Sequence, residues 1–368
     1  MTRYLAACRA LLTMATIFSS LACGSTYAAD TASNPVSLYI SDQILNTVTQ
    51  YNGITGDFEQ VLITAAVGGT AIPGGFCFTP NGIVVNPGSP PRLVVANQNI
   101  CDGNGEIRVF DETNPTSQST LVPSSNRNAP CAPFAILLYG DELLIADEGG
   151  NGCPPGRIEV FKTGTTPATF VQNLDTTGYS NSALFHPFGM VVGPDGYLYV
   201  ATRSFETRVP GDVIRFDLAK NKFRDVFVSG TGCFCNLDDP SGVIFGPDHQ
   251  RLYVTSSRFP TPSMGDTDKI LVFNGMTGVF VDRIDLDNPG AGMRSAAPGL
   301  LFGPEGLLYV TIAQLDGSGN PQGVGSVRRY DVSSKQFQII VPPNTTLKLP
   351  TLFTFDSTNP ATLDFGND

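Results

Sequence analysis

The chain has no tryptophan and only two histidines, His186 and His249, in 368 residues. Two imidazoles cannot build a three-histidine zinc site. The missing indole removes the usual stacking platform for sugars, so loop phenylalanines such as Phe205, Phe234 and Phe259 would have to take that place. Basic residues are also scarce, with 22 Lys and Arg against 33 Asp and Glu. They form no cluster, so the positive footprint of a nucleic-acid binder is lacking, and a net charge of −11 repels phosphate backbones and anionic membranes. Beyond the N-terminal region no apolar run is long enough to span a bilayer. No stretch of useful length shows the 3.6-residue periodicity of an amphipathic helix. No Cys-x-x-Cys pair occurs, so the cysteine spacing does not read as zinc.

The N-terminus reads as an export signal over residues 1–29. Arg3 and Arg9 mark a basic start, Ala10 to Ala22 is mostly apolar, and Thr26-Tyr27-Ala28 offers a small-residue cleavage site. Ser20-Leu21-Ala22-Cys23 approaches a lipoprotein signal, with Leu21 one place too near Cys23, so cleavage after Ala28 is favoured over acylation at Cys23. The expected location is secreted or periplasmic. Without Arg3 and Arg9 the rest carries 20 basic and 33 acidic residues, net −13, which suits solubility and admits calcium as a counter-ion. Outside the signal six cysteines remain: Cys77, Cys101, Cys131, Cys153, Cys233 and Cys235. An even number in an exported chain predicts disulfides, with Cys131 joined to Cys101 or Cys153 and Cys77 a buried thiol. Cys233-Phe234-Cys235 closes a small ring, which reads either as a redox-labile link or as a loop clamp.

What fills the chain is a repeat. An apolar pair, Gly-Pro-Asp/Glu-Gly and then Leu-Tyr-Val recur, as in Val191–Val200, Ile244–Val254 and Leu301–Val310. Weaker copies end in Leu38-Tyr39-Ile40, Leu93-Val94-Val95 and Leu143-Leu144-Ile145. The six leucines fall at 38, 93, 143, 198, 252 and 308, so the steps are 55, 50, 55, 54 and 56 residues. A fixed period in this range means stacked supersecondary units. Each unit reads as strands: a Pro-x-Gly start, placed at Pro73, Pro187 and Pro240, leads into an apolar strand. A Pro-Asp-Gly turn follows, then Leu-Tyr-Val, a long Gly/Pro-rich loop, and a third strand ending in Tyr or Phe. A turn such as Gly275-Met276-Thr277-Gly278 opens a fourth strand. Four antiparallel strands in each of six units predict an all-β, six-bladed β-propeller over residues 30–368. The first unit begins at its second strand, so Leu352-Phe353-Thr354-Phe355 is expected to supply the missing inner strand and close the ring.

The Pro-x-Gly, Gly-Pro-Asp-Gly and Leu-Tyr-Val-Ala unit resembles the NHL repeat, and more broadly the six-bladed propellers of the senescence-marker/gluconolactonase and strictosidine-synthase-like group, over nearly the whole chain. The resemblance implies the fold; such propellers include lactonases, lyases and binding modules. Gluconolactonase-like members hold a metal with Glu, Asn and Asp at strand starts, and here only Asp239 matches. The amidating-lyase members need three histidines, which this chain lacks.

The long loops share one face of a propeller, where binding is expected. Aligning the repeats places Ile72, Ala132, His186, Asp239, Ala296 and Leu349 at the start of the inner strands, and only His186 and Asp239 are polar. The second strands end in Asp42, Asn97, Asp147, Thr202, Ser256 and Ile312, with Glu148 and Arg203 following two of them. The expected ligand site is His186, Asp239, Asn97, Glu148, Arg203 and Ser256. Asp239, Asp147 and His186 are the candidate ligands for one divalent cation, calcium or zinc, in the central channel. Asp42 and Asn97 can instead bond their own loop amides as Asx turns do. Asp195, Asp248 and Glu305 sit in tight turns on the opposite face and read as structural, and Asp316–Asn320 resembles a calcium loop without its closing Glu. Two functions remain open: binding of a small molecule or protein by a monomer, or metal-dependent hydrolysis of a lactone or ester.

Overall fold

The computed structural model describes residues 36–65, 71–72, 75–76, 80–86, 91–98, 104–150, 152–204, 209–258, 266–288, 292–343 and 346–366. They belong to one unit that runs from Pro35 to Asp368. Six four-layered antiparallel sheets appear, each in the order inner, second, third and outer strand. Blade 1 joins Pro350–Phe355 to Ser37–Asp42, Thr47–Asn52 and Phe58–Thr64; blade 2 is Pro80–Asn86, Arg92–Asn97, Glu106–Asp111 and Gln118–Val122. Blades 3, 4 and 5 begin with Pro133–Tyr139, His186–Val192 and Asp239–Phe245. In blade 6 the inner strand is split into Arg294–Ala296 and Leu300–Phe302, both paired with Leu308–Leu315. The chain is therefore a six-bladed β-propeller.

The period of the sequence becomes the register of the sheets. The repeated leucine always faces the aromatic that ends the third strand: Leu38 with Tyr51, Leu93 with Phe110, Leu143 with Phe161, Leu198 with Phe216, Leu252 with Phe273 and Leu308 with Tyr330. All six leucines are fully buried. The tyrosine after the leucine works between blades. Tyr199 meets Phe245, Tyr253 meets Phe302 and Tyr309 meets Phe355, edge to face with ring centroids 5.0, 5.1 and 5.0 Å apart. Such pairs prefer this geometry because the positive edge of one ring faces the negative face of the other. The glycine opening each Gly-Pro turn makes room for these rings. A Cβ on Gly303 would lie 2.6 Å from Phe355 and 2.9 Å from Tyr309.

Ring closure follows the expected route. Leu38, Tyr39 and Ile40 pair with Phe355, Thr354 and Phe353, so the two ends of the chain share one sheet. The start of blade 2 differs from expectation. Residues 71–72 and 75–76 form a separate two-stranded hairpin, and the inner strand begins at Pro80, seven residues after Pro73. The reason is steric: the inner-strand glycine must rest against the next blade. A Cβ on Gly82 would lie 2.8 Å from the Phe134 carbonyl oxygen, as one on Gly242 would lie 2.4 Å from Leu300. Ile72 is therefore not at the channel mouth position of its blade.

The segment after the closing strand was not anticipated. It crosses the tight-turn face and stops the channel. Leu138 and Val192 donate their amides to the carbonyls of Pro360 and Ala361, both at 3.0 Å, and Phe365 packs on Phe355 at 5.2 Å. Leu363 reaches the channel waist, where Ile83, Ile136, Met190, Val243, Leu300 and Phe353 come one from each inner strand. The channel is thus apolar at its waist and plugged at one end. Two disulfides are present among the described residues, Cys131–Cys153 and Cys233–Cys235. The first meets one of the two expected pairings; Cys77 and Cys101 lie outside the described residues.

Deleting Pro350 to Asp368 should remove the closing strand and the plug together and leave the protein aggregated or unfolded. Burial of Phe353 and Phe355 alone is worth about 3–6 kcal/mol. A soluble truncated protein with an unchanged melting temperature would contradict the closure. Leu198→Ala, Leu252→Ala and Leu308→Ala should each cost about 2–5 kcal/mol by leaving a cavity. Gly303→Ala should cost about 1–3 kcal/mol through overpacking, whereas Asp248→Ala on the exposed turn should cost about 1 kcal/mol or less. Denaturant melts of the five variants measure the order.

Candidate functional site

The channel opens on the long-loop face. Around its mouth, two neighbouring positions of the repeat have different fates. The residue four places after each repeated leucine is buried: Asp42, Asn97, Asp147, Thr202, Ser256 and Ile312 are all at most 2% exposed. Among the described residues, its oxygen accepts the backbone that leads into the inner strand of the same blade in blades 1, 3, 4 and 5. Asp42 Oδ2 accepts from the amides of Lys348 and Leu349, and Asp147 accepts from Cys131 and Ala132 at 3.0 and 2.8 Å. Thr202 Oγ1 accepts from His186 N–H at 3.2 Å and Ser256 Oγ from Asp238 N–H at 3.0 Å. Asn97 donates its amide to Glu106 at 3.0 Å.

The next residue carries the polar arc. Gln43 donates to Gln98 at 3.5 Å, and Gln98 donates to Glu148 Oε1 at 3.0 Å. Arg203 follows in blade 4, its guanidinium stacked 3.9 Å over the Phe188 ring and its Nε 3.2 Å from Asp239 Oδ1. His186 pairs with Arg203 across the sheet, and its Nδ1 lies 2.6 Å from the Glu148 carbonyl oxygen. A carbonyl only accepts, so Nδ1 carries the proton and donates. Asp239 and Arg203 line a cavity of about 370 Å³ together with Arg258, Arg294 and Ser257, facing an apolar side that includes Ala313 and Leu349.

Charge is tuned along this arc. Burial pushes Glu148 up to about 7, against the pull of the Arg203 charge, with Asp147 adding to the rise and the Gln98 bond opposing it. Burial also raises Asp239, opposed by Arg203 and Arg294. Behind Glu148, Arg157 binds Asp147 Oδ2 at 2.9 Å and Glu159 Oε1 at 2.7 Å, and burial lifts Glu159 to about 8. On the blade 5 side Arg294 holds Asp268 through Nε and Nη2 at 3.2 and 2.8 Å. Lys269, fully buried, binds Asp266 and Asp238 at 2.8 and 3.1 Å.

The expected residues therefore divide. Glu148, His186, Arg203 and Asp239 come together at the mouth, while Asn97, Asp147 and Ser256 face into the blades. Among the described residues no group of three or more His, Cys, Asp or Glu stands ready to hold a metal. Asp147 gives its oxygens to amides and Arg157, and Asp239 lies on a guanidinium, so the three residues proposed for a cation do not form one donor set. Phe234 is described; Phe205 and Phe259 lie outside the described residues. Asp316 accepts from the amides of Ser318 and Asn320, both at 2.9 Å, as an Asx-type turn. Gln43, Gln98, Arg258 and Arg294 were not foreseen. Moving the alignment one residue past each Leu-Tyr-Val strand would have found Gln43 and Gln98.

No family model and no curated protein matches the chain. Solved structures do. The periplasmic gluconolactonase PpgL of Pseudomonas aeruginosa superposes with a TM-score of 0.50 at 16% identity, over 83% of this chain and 81% of that one. A putative 6-phosphogluconolactonase from Bacteroides uniformis gives 0.51 at 14% identity, over 88% and 100%. Regucalcin from Agrobacterium tumefaciens, a calcium-binding protein, gives 0.49 at 16% identity, over 74% and 76%. At 16% identity or less the likeness is one of fold, and it agrees with the six-bladed propeller seen here.

Asp147→Asn should lower stability by about 1–3 kcal/mol, because Arg157 and two amides lose a charged acceptor. Melting curves check this; an unchanged midpoint would free Asp147 from its structural task.

Proposed function

We propose that the channel mouth hydrolyses a lactone or simple ester, with Glu148 as general base and Arg203 as the charge that receives the developing oxyanion. The observation that carries this reading is a carboxyl held up to about 7 beside a guanidinium, on the open side of a plugged channel. Half-ionised near neutral pH, such a carboxylate both accepts a proton and returns it. Water adds to the carbonyl carbon while Glu148 takes its proton. The oxyanion meets Arg203, and collapse breaks the acyl C–O bond as Glu148 protonates the leaving alkoxide. Arg203 is fixed for this by Phe188 and by the Pro240 carbonyl, which accepts from Nε at 3.2 Å. Likeness in fold to a gluconolactonase puts lactones first among substrates to try. No step runs through a divalent cation. Export fits the two disulfides, which persist in oxidising compartments.

Hydrolysis of glucono-1,5-lactone, followed by acid release with correction for the uncatalysed rate, tests the reading, with p-nitrophenyl acetate as a second substrate. A base works deprotonated, so kcat/KM should rise with pH through about 7 and level above it. Glu148→Gln should lower kcat by about 100-fold or more. The same group opposes folding once ionised: its folded pKa lies above the unfolded value, so stability falls as pH rises from about 4.5 to about 7. Glu148→Gln should therefore be more stable than the native chain at pH 8, by about 1–3 kcal/mol. Wild-type protein that binds these lactones without turnover would place it among the binding propellers instead.

A further inference from the structure

Cys233 and Cys235 are joined within a single turn, only 2 residues apart, whereas Cys131–Cys153 spans 22 and ties two loops of the mouth. Chain entropy removed by a cross-link grows with the loop it closes, so the short link contributes least to the fold. Its segment is held without it. Gly230 donates its amide to Asp212 Oδ1 at 3.0 Å, Gly211 donates to the Asp238 carbonyl at 2.8 Å, and Lys269 donates to Asp238 Oδ2 at 3.1 Å. Leu237 is fully buried.

The two sulfurs are not equivalent. Cys235 is 5% exposed, while Cys233 is half-buried and reachable from solvent. The Cys235 amide donates to Cys233 Sγ at 3.3 Å, which favours negative charge on that sulfur. Between them Phe234 stands wholly in solvent at 105%, more exposed than any other large hydrophobic among the described residues. The fold gains nothing from a phenyl ring placed there, and such a ring offers a partner an apolar contact.

We propose that Cys233–Cys235 is a thiol–disulfide exchange site for a cysteine-containing peptide, with Phe234 as its apolar contact. The incoming thiolate attacks Cys233 Sγ, the Cys233–Cys235 bond breaks, and Cys235 leaves as a thiolate that takes up a proton. A second peptide thiolate attacks the peptide sulfur of the mixed disulfide and releases Cys233, whose thiolate the Cys235 amide supports. Two peptide thiols become one disulfide, and the pair Cys233 and Cys235 gains the two electrons and two protons.

The full chain, incubated anaerobically with N-acetyl-leucyl-cysteinamide, quenched with iodoacetamide and mapped by mass spectrometry, tests this directly. Cys233 and Cys235 should open at a peptide concentration at least about tenfold below that needed for Cys131–Cys153, with stoichiometric peptide disulfide and an unchanged melting temperature. Offered the symmetrical disulfide of the same peptide, Cys235→Ser should take up one peptide on Cys233 with release of one peptide thiol, and Cys233→Ser should take up none on Cys235; Phe234→Ala should slow opening by the peptide thiol but not by 2-mercaptoethanol. If both links open together and the melting temperature falls, the link is a clamp and the proposal fails. Equal adducts on the two single variants, or a Phe234→Ala rate unchanged for both thiols, would also overturn it. The wild-type measurement stands even if a serine variant does not fold.

Discussion

One contact recurs at three of the six blade junctions and holds those blades in place: a tyrosine edge against the aromatic ring that ends the next inner strand. In Tyr309 and Phe355 this contact joins blade 6 to the C-terminal strand of blade 1, so it is also part of the closure. A glycine beneath it is required because no Cβ fits under the two rings. The inner strands of blades 5, 6 and 1 are thereby set against their neighbours, and the channel mouth is built on the ring that these junctions help to close.

On that scaffold the mouth is built by alternation. Successive residues of a strand point to opposite sides, so the residue closing each second strand turns into the blade and ties down the loop that enters the same blade. Its neighbour turns toward the channel. This separates two acidic residues that are adjacent in sequence. Asp147 is spent on amides and Arg157, while Glu148 meets Gln98 and the field of Arg203. The apolar waist and the C-terminal plug leave the long-loop side as the open end of the channel.

The fold was largely legible in the chain because a propeller repeats its packing problem six times. The leucine answers it in the same way each time, facing the third-strand aromatic in all six sheets, and tyrosine and glycine repeat the answer in the clearest copies. Blade 2 was misplaced by seven residues because Pro73-Gly74-Gly75 and Pro80-Asn81-Gly82 carry similar turn signals, and only contact with Phe134 separates them. The plug was invisible because it belongs to no repeat; Leu363 and Phe365 are isolated apolar residues in a polar tail until the waist and Phe355 receive them.

The site was legible by half. His186 and Asp239 announce themselves by breaking the apolar pattern of their position, and Glu148 and Arg203 by following it at a fixed distance. What the sequence alone determined is the architecture, since hydrophobic period and turn chemistry act locally and repeat. What only the tertiary structure decided is which carboxylate is spent on folding and which is left at the channel mouth. That depends on burial and on partners about 15 to 50 residues away in the chain, as Asp147 with Cys131, Glu148 with Gln98 and Arg203 with Asp239 show. Such charges are set by three-dimensional neighbours, and composition and spacing do not record them.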